Sequence, residues 1–225
     1  MDKQKFYEEK ARTYRKHDKE ASVRYRRAVE LAGVSNGAVI LDVGCKFAYL
    51  RDLLNERGVS VDYYGTDISA DTISRIADRD EEHFKVGDIM EGLPFRDNMF
   101  DFIFALEIME HVESPTSMLA ECRRVLKPDG ALILSVPNPY CWVEIYGNWR
   151  KVPESEGHVS SFTPQTISRL VSFNGMKIVA RCGTFFRVPF IHRVLKDPPV
   201  FKSNLMFLTR SYVYKIVPAT GSTST

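Results

Sequence analysis

The sequence predicts an α/β fold in which helices cover both faces of a mostly parallel sheet. From residue 38 onward, short apolar segments of strand length alternate with amphipathic segments of helix length, as is typical of βαβ units. Residues 100–105 are almost entirely apolar, which is expected of a central strand covered on both sides. With 225 residues, 44% of them hydrophobic, the chain is long enough to bury the core of one such domain.

Residues 1–36 predict a helical extension ahead of the sheet. Aromatic and aliphatic residues are interspersed there among charges, and Gly33 followed by Ser35-Asn36-Gly37 supplies a stop. Such an extension can pack against the sheet or lie over the functional site as a lid, and both roles stay open.

The α/β domain itself is predicted to span residues 37–217. Strands are expected at residues 39–43, 61–66, 83–86, 100–105 and 131–136, with helices between them at residues 49–56, 70–77 and 115–126. Lys127-Pro128-Asp129-Gly130 predicts a sharp helix stop before the fifth strand.

A long connection is expected at residues 137–161, and long connections within compact domains are often functional. Its aromatic and basic residues predict a wall for a planar or anionic ligand, with packing of the loop as the alternative; they are Tyr140, Trp142, Tyr146, Trp149, Arg150 and Lys151.

The last part of the domain predicts one helix and two strands. The helix starts at Thr163-Pro164 and ends at Asn174-Gly175. Strands follow at residues 176–181 and within 205–217, separated by a proline-containing insertion at 187–203. Residues 218–225 predict a disordered tail.

Charge is segregated along the chain although the formal net charge is only +2. Lys and Arg outnumber Asp and Glu by ten to six in residues 1–36 and by eleven to four in 141–225, whereas acids prevail by nineteen to ten in 37–140. Basic flanks that meet in space would attract an anionic substrate, although solvated helix faces also explain such runs. The modest net charge and the lack of an appended RNA-binding module argue against nucleic acid as a partner.

The sequence predicts a soluble cytoplasmic protein without a transmembrane segment. No apolar run approaches the roughly 18 residues that a membrane span requires, and the first 20 residues are densely charged, unlike a signal peptide. The four cysteines lie far apart and include no C-x-x-C pair, so neither a disulfide framework nor a zinc knuckle is predicted.

Acidic residues fall at the ends of three successive predicted strands. Asp42 ends the first strand just before a turn at Gly44, Asp67 follows the second strand, and Asp88 follows the third. A carboxylate at the end of the second strand can accept both hydroxyls of a ribose. Each acid alone could instead cap a turn or helix, but three in register favour a nucleotide-type ligand.

These segments, with several later ones, resemble the class I S-adenosylmethionine-dependent methyltransferases, in particular the small-molecule and ubiquinone-pathway O-methyltransferase group. The matching segments occur in the family's order: Ile40-Leu41-Asp42-Val43-Gly44-Cys45, Gly65-Thr66-Asp67-Ile68-Ser69, Val86-Gly87-Asp88-Ile89, Leu93-Pro94-Phe95, Phe100-Asp101-Phe102-Ile103, Met109-Glu110-His111-Val112 and Val125-Leu126-Lys127-Pro128-Asp129-Gly130. The resemblance implies a Rossmann-like three-layer sandwich with a seven-stranded sheet whose last strand is antiparallel, and S-adenosylmethionine as cofactor.

The resemblance also implies a set of cofactor residues. Gly44 would let the backbone approach the methionine part, Asp67 would bind the ribose, and Asp88 would hold the adenine. The full set is Asp42, Gly44, Lys46, Asp67, Ile68, Asp88, Ile89, Ala105 and Leu106.

Lys46 and Ala48 depart from the family pattern, which has glycine at both positions. A side chain there would crowd the cofactor or require an unfavourable φ. Lys46 is therefore expected to point outward, to place its ammonium near the cofactor carboxylate, or to mark a protein with lost cofactor affinity.

A second constellation combines the segment Glu107-Ile108-Met109-Glu110-His111 with His158. If residues 107–111 turn helically, Glu107, Glu110, His111 and His158 could hold one divalent ion, Mg²⁺ or another. This pattern is similar to metal-dependent O-methyltransferases, where the ion lies beside the accepting hydroxyl. Without an ion, His111 or His158 is the predicted catalytic base.

The predicted function is methyl transfer from S-adenosylmethionine to a small-molecule acceptor, with a hydroxyl oxygen favoured and with an anionic or aromatic acceptor expected. The alternatives are an RNA 2′-O-methyltransferase and a non-catalytic methyltransferase-like binding protein with a degenerate cofactor loop.

Overall fold

A computed structural model describes residues 3–11, 19–76, 78–153, 156–187 and 200–219. Its strands, numbered in chain order, are β1 Val39–Val43, β2 Asp62–Asp67, β3 Phe84–Val86, β4 Phe100–Leu106, β5 Leu126–Pro137, β6 Met176–Gly183, β7 Phe185–Arg187, β8 Val200–Lys202 and β9 Ser211–Pro218. Seven of them form one sheet in the order β3-β2-β1-β4-β5-β9-β6, and β7 pairs separately with β8.

The sheet is parallel except for its last strand. Strands β1 to β5 pair in parallel, whereas β9 lies antiparallel between β5 and β6. The predicted seven-stranded, mostly parallel sheet with an antiparallel last strand is therefore confirmed.

The described helices are α1 Lys3–Ala11, α2 Lys19–Ala32, α3 Tyr49–Glu56, α4 Ala70–Ser74, α5 Pro115–Val125, α6 Trp142–Trp149 and α7 Pro164–Phe173, with a 3₁₀ turn at Met109–His111. Sequence signals set two of the starts: Ser114 accepts a hydrogen bond from the Ser117 N–H, and Thr163 accepts one from the Thr166 N–H, each followed by proline in the first turn.

Three boundaries differ from prediction. Helix α4 ends at Ser74 rather than at residue 77, and Arg75 caps it. The strand after α5 begins at once, at Leu126, because the irregular pairing between β4 and β5 already starts at this residue. The expected long loop contains α6, none of whose residues is buried; without a buried face the helix leaves little periodic signal in the sequence.

The side chains of the central strands point alternately to the two faces of the sheet, and the core therefore forms two layers. Leu41 and Val43 of β1 belong to one apolar cluster, with residues of α5 and α7. Ile40 belongs to the other cluster, with residues of α2 and α3. Because successive side chains of a strand point to opposite faces, both faces of the sheet are covered, as the sequence predicts.

The N-terminal helices occupy different places. Helix α2 buries Tyr25, Ala28, Val29 and Ala32, and Lys215 Nζ of β9 donates to the Ala32 carbonyl at 2.7 Å, so α2 packs on the sheet. Helix α1 reaches the loop at residues 156–158, where Lys10 Nζ donates to Glu156 Oε2 at 3.4 Å and the Phe6 ring lies beside Gly157. The division of the chain into extension, domain and tail stays a prediction.

Several expectations fall wholly or partly outside the described residues. These are residues 1–2 and 12–18 of the extension, residue 77 of the helix predicted at 70–77, residues 154–155 of the long connection, residues 188–199 of the insertion and residues 220–225 of the tail. Pro218 ends β9, and the Ala219 N–H donates to the Gly175 carbonyl at 2.9 Å. Within the part of the chain that is described, no helix combines the length and apolar character needed to cross a bilayer.

Candidate functional site

A cavity of about 110 Å³ lies beyond the carboxyl ends of β1 to β4. The ends of these parallel strands meet at one edge of the sheet, where ligands bind in folds of this type. The cavity is lined by Tyr7, Val43, Gly44, Lys46, Thr66, Asp67, Ile68, Gly87, Asp88, Ile89, Glu107, Ile108, His111 and Val112. Six of the nine predicted cofactor residues are among them.

The turn after β1 is held by backbone hydrogen bonds. The N–H groups of Gly44 and Cys45 both donate to the Thr66 carbonyl, at 2.8 and 2.9 Å. A Cβ at Gly44 would collide with Ile108 Cδ1. Gly44 is favoured by its φ of 71°, and any larger residue there would also displace the Ile108 side chain.

Lys46 and Ala48 adopt the left-handed conformation that glycine favours. Their φ angles are 47° and 55°, which costs on the order of 1–2 kcal/mol for each non-glycine residue. The unfavourable φ expected at these two positions is present in the structure.

Asp67 is fixed by the loops around it. Its Oδ1 accepts from the Ser69 N–H at 2.9 Å and its Oδ2 accepts from the Lys46 N–H at 3.1 Å. Burial raises the pKa of Asp67, and these two bonds and the Lys46 charge oppose the rise. Asp88 similarly accepts from the Met90 N–H at 3.0 Å. Both acids shape their loops while lining the cavity, so the capping role and the ligand role are compatible.

Three predicted cofactor residues lie outside the lining of this cavity. The Asp42 carboxylate is buried and accepts from the Tyr63 hydroxyl at 2.6 Å, and burial raises its pKa to about 7. Ala105 and Leu106 are buried within β4. Glu107, the residue after Leu106, is the first of this segment to line the cavity. All three side chains are buried, and the cofactor roles predicted for these residues stay predictions.

Three of the four predicted metal ligands converge. Ligand atoms of Glu110, His111 and His158 all lie within 4.8 Å of one another. Glu110 is 1% exposed, and its two carboxylate oxygens have no hydrogen-bond partner among the described residues, although His158 Nε2 approaches Oε1 to 4.0 Å. Burial, and secondly the charge of Glu107, raise the pKa of Glu110 well above its usual range.

His111 is oriented by the backbone of the loop that carries His158. Its Nδ1 lies 3.1 Å from the Gly157 carbonyl, which can only accept, so Nδ1 carries the proton and Nε2 has a free lone pair. Burial lowers the pKa of His111, and the Gly157 carbonyl opposes this. The imidazole is therefore neutral at neutral pH, as a metal ligand or a base must be.

Glu107 is the exception to the predicted metal set. Its oxygens accept from Ser135 Oγ at 2.9 Å and from Ser211 Oγ at 3.2 Å. The expected helical turn does not begin at Glu107, which has a φ of 58°; only Met109–His111 form a 3₁₀ turn. In this conformation the Glu107 carboxylate contacts Ser135 of β5 and Ser211 of β9.

A second cavity, of about 560 Å³, adjoins the first. The two cavities share Tyr7, Lys46, Glu107 and His111, so they meet at these residues. The further lining is Lys10, Glu20, Arg24, Pro137, Val143, Glu144, Gly147, Asn148, Val152, Pro153, Glu156, His158, Phe185, Arg210 and Ser211.

The aromatic residues that the sequence predicts as a wall line neither of the two cavities. Helix α6 turns Val143 and Gly147 toward the second cavity, while Tyr146 and Trp149 are 50% and 74% exposed and line neither cavity. One helical turn of four residues separates Val143 from Gly147, so the rings two or three positions further on face solvent.

Sequence analysis missed two residues of the N-terminal helices. The Tyr7 ring meets the His111 ring edge to face, with centroids 5.7 Å apart. Arg24 reaches Glu107 with Nη1 at 3.7 Å from Oε2, and its buried Nε has no hydrogen-bond partner among the described residues. Both residues lie in a charge-rich segment whose pattern marks helix only; the one available signal is the basic excess of this segment.

Known proteins share this architecture and sequence pattern. Residues 41–134 match a family model described as a methyltransferase domain. A ubiquinone biosynthesis O-methyltransferase of Neisseria meningitidis is 30% identical over 168 residues, which cover 68% of this chain and 69% of that protein.

Two solved structures show the same fold. A putative methyltransferase of Haloferax volcanii, in complex with the Trm112 methyltransferase activator, aligns with a TM-score of 0.67 and 18% identity, covering 90% of this chain and 91% of that one. The magnesium protoporphyrin IX methyltransferase of Synechocystis, with bound SAH, aligns with a TM-score of 0.61 and 18% identity, covering 88% and 83%.

Proposed function

Because the chain belongs to the class I S-adenosylmethionine-dependent methyltransferases, we propose that it transfers the methyl group of this cofactor to a hydroxyl oxygen of a small molecule. One observation carries the proposal: a cavity lined by the cofactor-type acids opens, at Glu107 and His111, into a larger cavity with room for an acceptor. The oxygen acceptor is further supported by the O-methyltransferase relative.

The first cavity fits the adenosine part of the cofactor. Asp67 ends β2 with each carboxylate oxygen already holding one backbone N–H, which leaves a second lone pair on each for the two ribose hydroxyls. Asp88 and Ile89 lie on the next loop, where we place the adenine. Gly44, which has no side chain, faces the methionine part.

Arg24 and Glu107 together fit the amino acid end of the cofactor. This end carries one ammonium and one carboxylate, and Arg24 and Glu107 place opposite charges 3.7 Å apart where the two cavities meet. The buried Arg24 Nε without a partner is the kind of donor that a carboxylate satisfies. We assign Arg24 to the carboxylate and Glu107 to the ammonium.

Positioning supplies much of the catalysis in this reaction, because the methyl group of a sulfonium is already activated for in-line displacement. The accepting hydroxyl loses its proton as the new carbon–oxygen bond forms. The lone pair on His111 Nε2 is the proposed acceptor of this proton, since its Nδ1 proton is held by the Gly157 carbonyl. His158 is the second candidate.

Glu110, His111 and His158 also fit a divalent ion. A buried carboxylate whose oxygens lack hydrogen-bond partners is stabilised by a cation, and two imidazoles suit Zn²⁺ or Fe²⁺ better than Mg²⁺. A bound ion would lower the pKa of the accepting hydroxyl. His111 would then be a ligand, so the ion and the His111 base are alternative proposals.

Calorimetric titration with S-adenosylhomocysteine tests the cofactor assignment. Asp67→Asn and Arg24→Met should each weaken binding by about 10- to 100-fold, because each removes charge-assisted hydrogen bonds. Asp129→Asn, an exposed residue outside this site, is the control. Unchanged binding in both variants would remove these residues from the site, and no binding by the wild type would overturn the proposal.

Methylation assays with and without a chelator separate the ion from the base. Activity that survives the chelator but is lost in His111→Gln supports the base. Activity that the chelator abolishes and Zn²⁺ restores supports the ion.

A further inference from the structure

We propose that Ser135 and Ser211 are positioning residues whose hydroxyls hold the Glu107 carboxylate apart from the Arg24 guanidinium, so that both charges are kept for the amino acid end of the cofactor. This inference rests on the proposed function, because it concerns the binding of the same cofactor. It gives a role to two buried serines, of β5 and β9, beside the junction of the two cavities.

Ser135 ties the side chain of Glu107 to the backbone of the same residue. Its Oγ accepts from the Glu107 N–H at 3.0 Å and donates to Glu107 Oε1 at 2.9 Å. The Ser135 carbonyl, 3.1 Å from the same N–H, is a second acceptor. Because Glu107 has a φ of 58°, in the left-handed region that glutamate seldom adopts, these bonds hold a conformation that the residue does not favour by itself. Residues held in this way are concentrated at functional sites.

Ser211 holds the other carboxylate oxygen from β9. Its Oγ donates to Glu107 Oε2 at 3.2 Å. The backbone of Ser211 is fixed in turn by Thr184, because the Ser211 N–H donates to Thr184 Oγ1 at 3.2 Å and the Thr184 N–H donates to the Ser211 carbonyl at 3.0 Å. Ser135 and Ser211 are 0% and 3% exposed, so little water competes for their hydroxyls. The carboxylate is therefore held at both of its oxygens.

The two serines leave Glu107 close to Arg24 without a direct hydrogen bond. Arg24 Nη1 lies 3.7 Å from Glu107 Oε2, beyond the roughly 2.7–2.9 Å of a charge-assisted hydrogen bond. Without the serine hydroxyls the carboxylate would approach the guanidinium, because opposite charges attract strongly in a partly buried site. The resulting closed ion pair would have to be broken before the cofactor could bind to either group.

The open arrangement matches the two charges that the cofactor brings. The side chains of Glu107 and Arg24 are 19% and 14% exposed and line the second cavity, so a ligand can reach them. An ionised carboxylate has about two lone pairs on each oxygen, and each serine occupies one. The others are available to the cofactor ammonium, and the buried Arg24 Nε is available to its carboxylate. Preorganisation of this kind increases affinity, because the protein breaks no ion pair of its own on binding.

Calorimetry with two adenosine ligands tests the inference without turnover. S-adenosylhomocysteine carries the amino acid end, whereas 5′-methylthioadenosine lacks it. Ser211→Thr and Ser211→Val give side chains of nearly the same shape, and only threonine keeps the hydroxyl. Ser135→Ala is the second test. The matched control is Thr209→Val, because Thr209 is buried and its hydroxyl bonds to the backbone of Thr184 and Ser211 but not to Glu107.

Wild-type protein should bind S-adenosylhomocysteine at least about tenfold more tightly than 5′-methylthioadenosine. Ser211→Val should bind S-adenosylhomocysteine about tenfold more weakly than Ser211→Thr, because a hydrogen bond to a charged group is lost, and the two should differ by less than about twofold for 5′-methylthioadenosine. Ser135→Ala should lower the same preference, and Thr209→Val should keep it. Equal affinities of Ser211→Val and Ser211→Thr, or equal weakening of both ligands, would overturn the inference.

The spacing itself is tested by repeating the Ser211 comparison in Arg24→Met. With no guanidinium to approach, the difference between threonine and valine should fall below about threefold. A difference of undiminished size would mean that the serines do not act by holding Glu107 apart from Arg24.

The proposed function fails in a different way. Wild-type protein that binds both ligands equally overturns this inference and the assignment of Arg24 and Glu107, and leaves methyl transfer standing. Wild-type protein that does not bind S-adenosylhomocysteine overturns the proposed function itself.

Discussion

The two ends of the site differ in how the protein treats its buried acids. At the cofactor end, Asp67 holds two backbone N–H groups and Asp42 holds the Tyr63 hydroxyl. At the acceptor end, the Glu110 oxygens have no hydrogen-bond partner among the described residues. A satisfied acid belongs to a preformed site, whereas an unsatisfied one carries an energetic cost that a proton or a cation relieves. Under the proposed function, the acids of the cofactor end are preformed, whereas Glu110 at the acceptor end is satisfied only by a proton or a bound ion.

The largest expected effect concerns Asp42. Its pKa is raised from 3.8 to about 7 by burial, so the native state keeps a proton that the unfolded chain loses, and the free energy of unfolding falls as pH rises from about 4 to about 7. Asp42→Asn should remove most of this loss, which is on the order of 4 kcal/mol for a shift of this size. Urea denaturation at pH 4, 5.5 and 7 measures it; parallel curves for both proteins would contradict the raised pKa.

The difference between the two ends of the site should be most visible when Zn²⁺ binding is measured after substitution of Glu110. Glu110→Gln should weaken Zn²⁺ binding by about 100-fold or more, because the loss of even an outer partner of a metal ligand costs about 10- to 100-fold. Glu113→Gln, an exposed acid three positions away, should leave it unchanged. Equal affinities in a competition titration with a chromogenic chelator would mean that Glu110 is simply a protonated core residue.

Gly157 joins the acceptor end to helix α1. A Cβ at Gly157 would meet the Phe6 ring at 2.6 Å, whereas a Cβ at Gly175 would meet nothing within 4 Å, and both glycines have positive φ. Gly157→Ala and Gly175→Ala should therefore share a strain cost of about 1 kcal/mol.

Of these two variants, Gly157→Ala alone should also weaken acceptor binding, by about tenfold, because its Cβ displaces α1 or the loop that orients His111. Thermal unfolding and acceptor calorimetry separate the two effects. Equal acceptor affinities would show that α1 only packs beside the cavity and does not help to form it.

Trp149 should give the smallest effect. Because it is 74% exposed and lines neither cavity, Trp149→Ala should change the free energy of unfolding by less than about 0.5 kcal/mol and leave acceptor affinity unchanged. A loss of acceptor binding would restore the aromatic wall that the sequence suggests.

The difference between the two ends of the site also explains what sequence analysis could predict. Asp67 and Asp88 were predictable because each lies at or just after the end of a strand, and parallel strand ends gather at one edge. The helical turn expected from Glu107 was not predictable in detail, because Glu107 adopts a left-handed φ and the turn begins only at Met109. Arg24 and Tyr7 were missed because they reach the site from helices whose docking depends on contacts far away in the sequence. Helix α6 was hidden because it buries no residue.

The place of β9 in the sheet bears on how the protein is synthesised. Strand β9 is made after β6 but lies between β5 and β6, so a growing chain exposes two unpaired strand edges until residues 211–218 arrive. Ser211, which holds Glu107, arrives on that same strand. The acids at the ends of β1 to β3 can therefore be in place early during translation, whereas the contact of Ser211 with Glu107, where the two cavities meet, forms last.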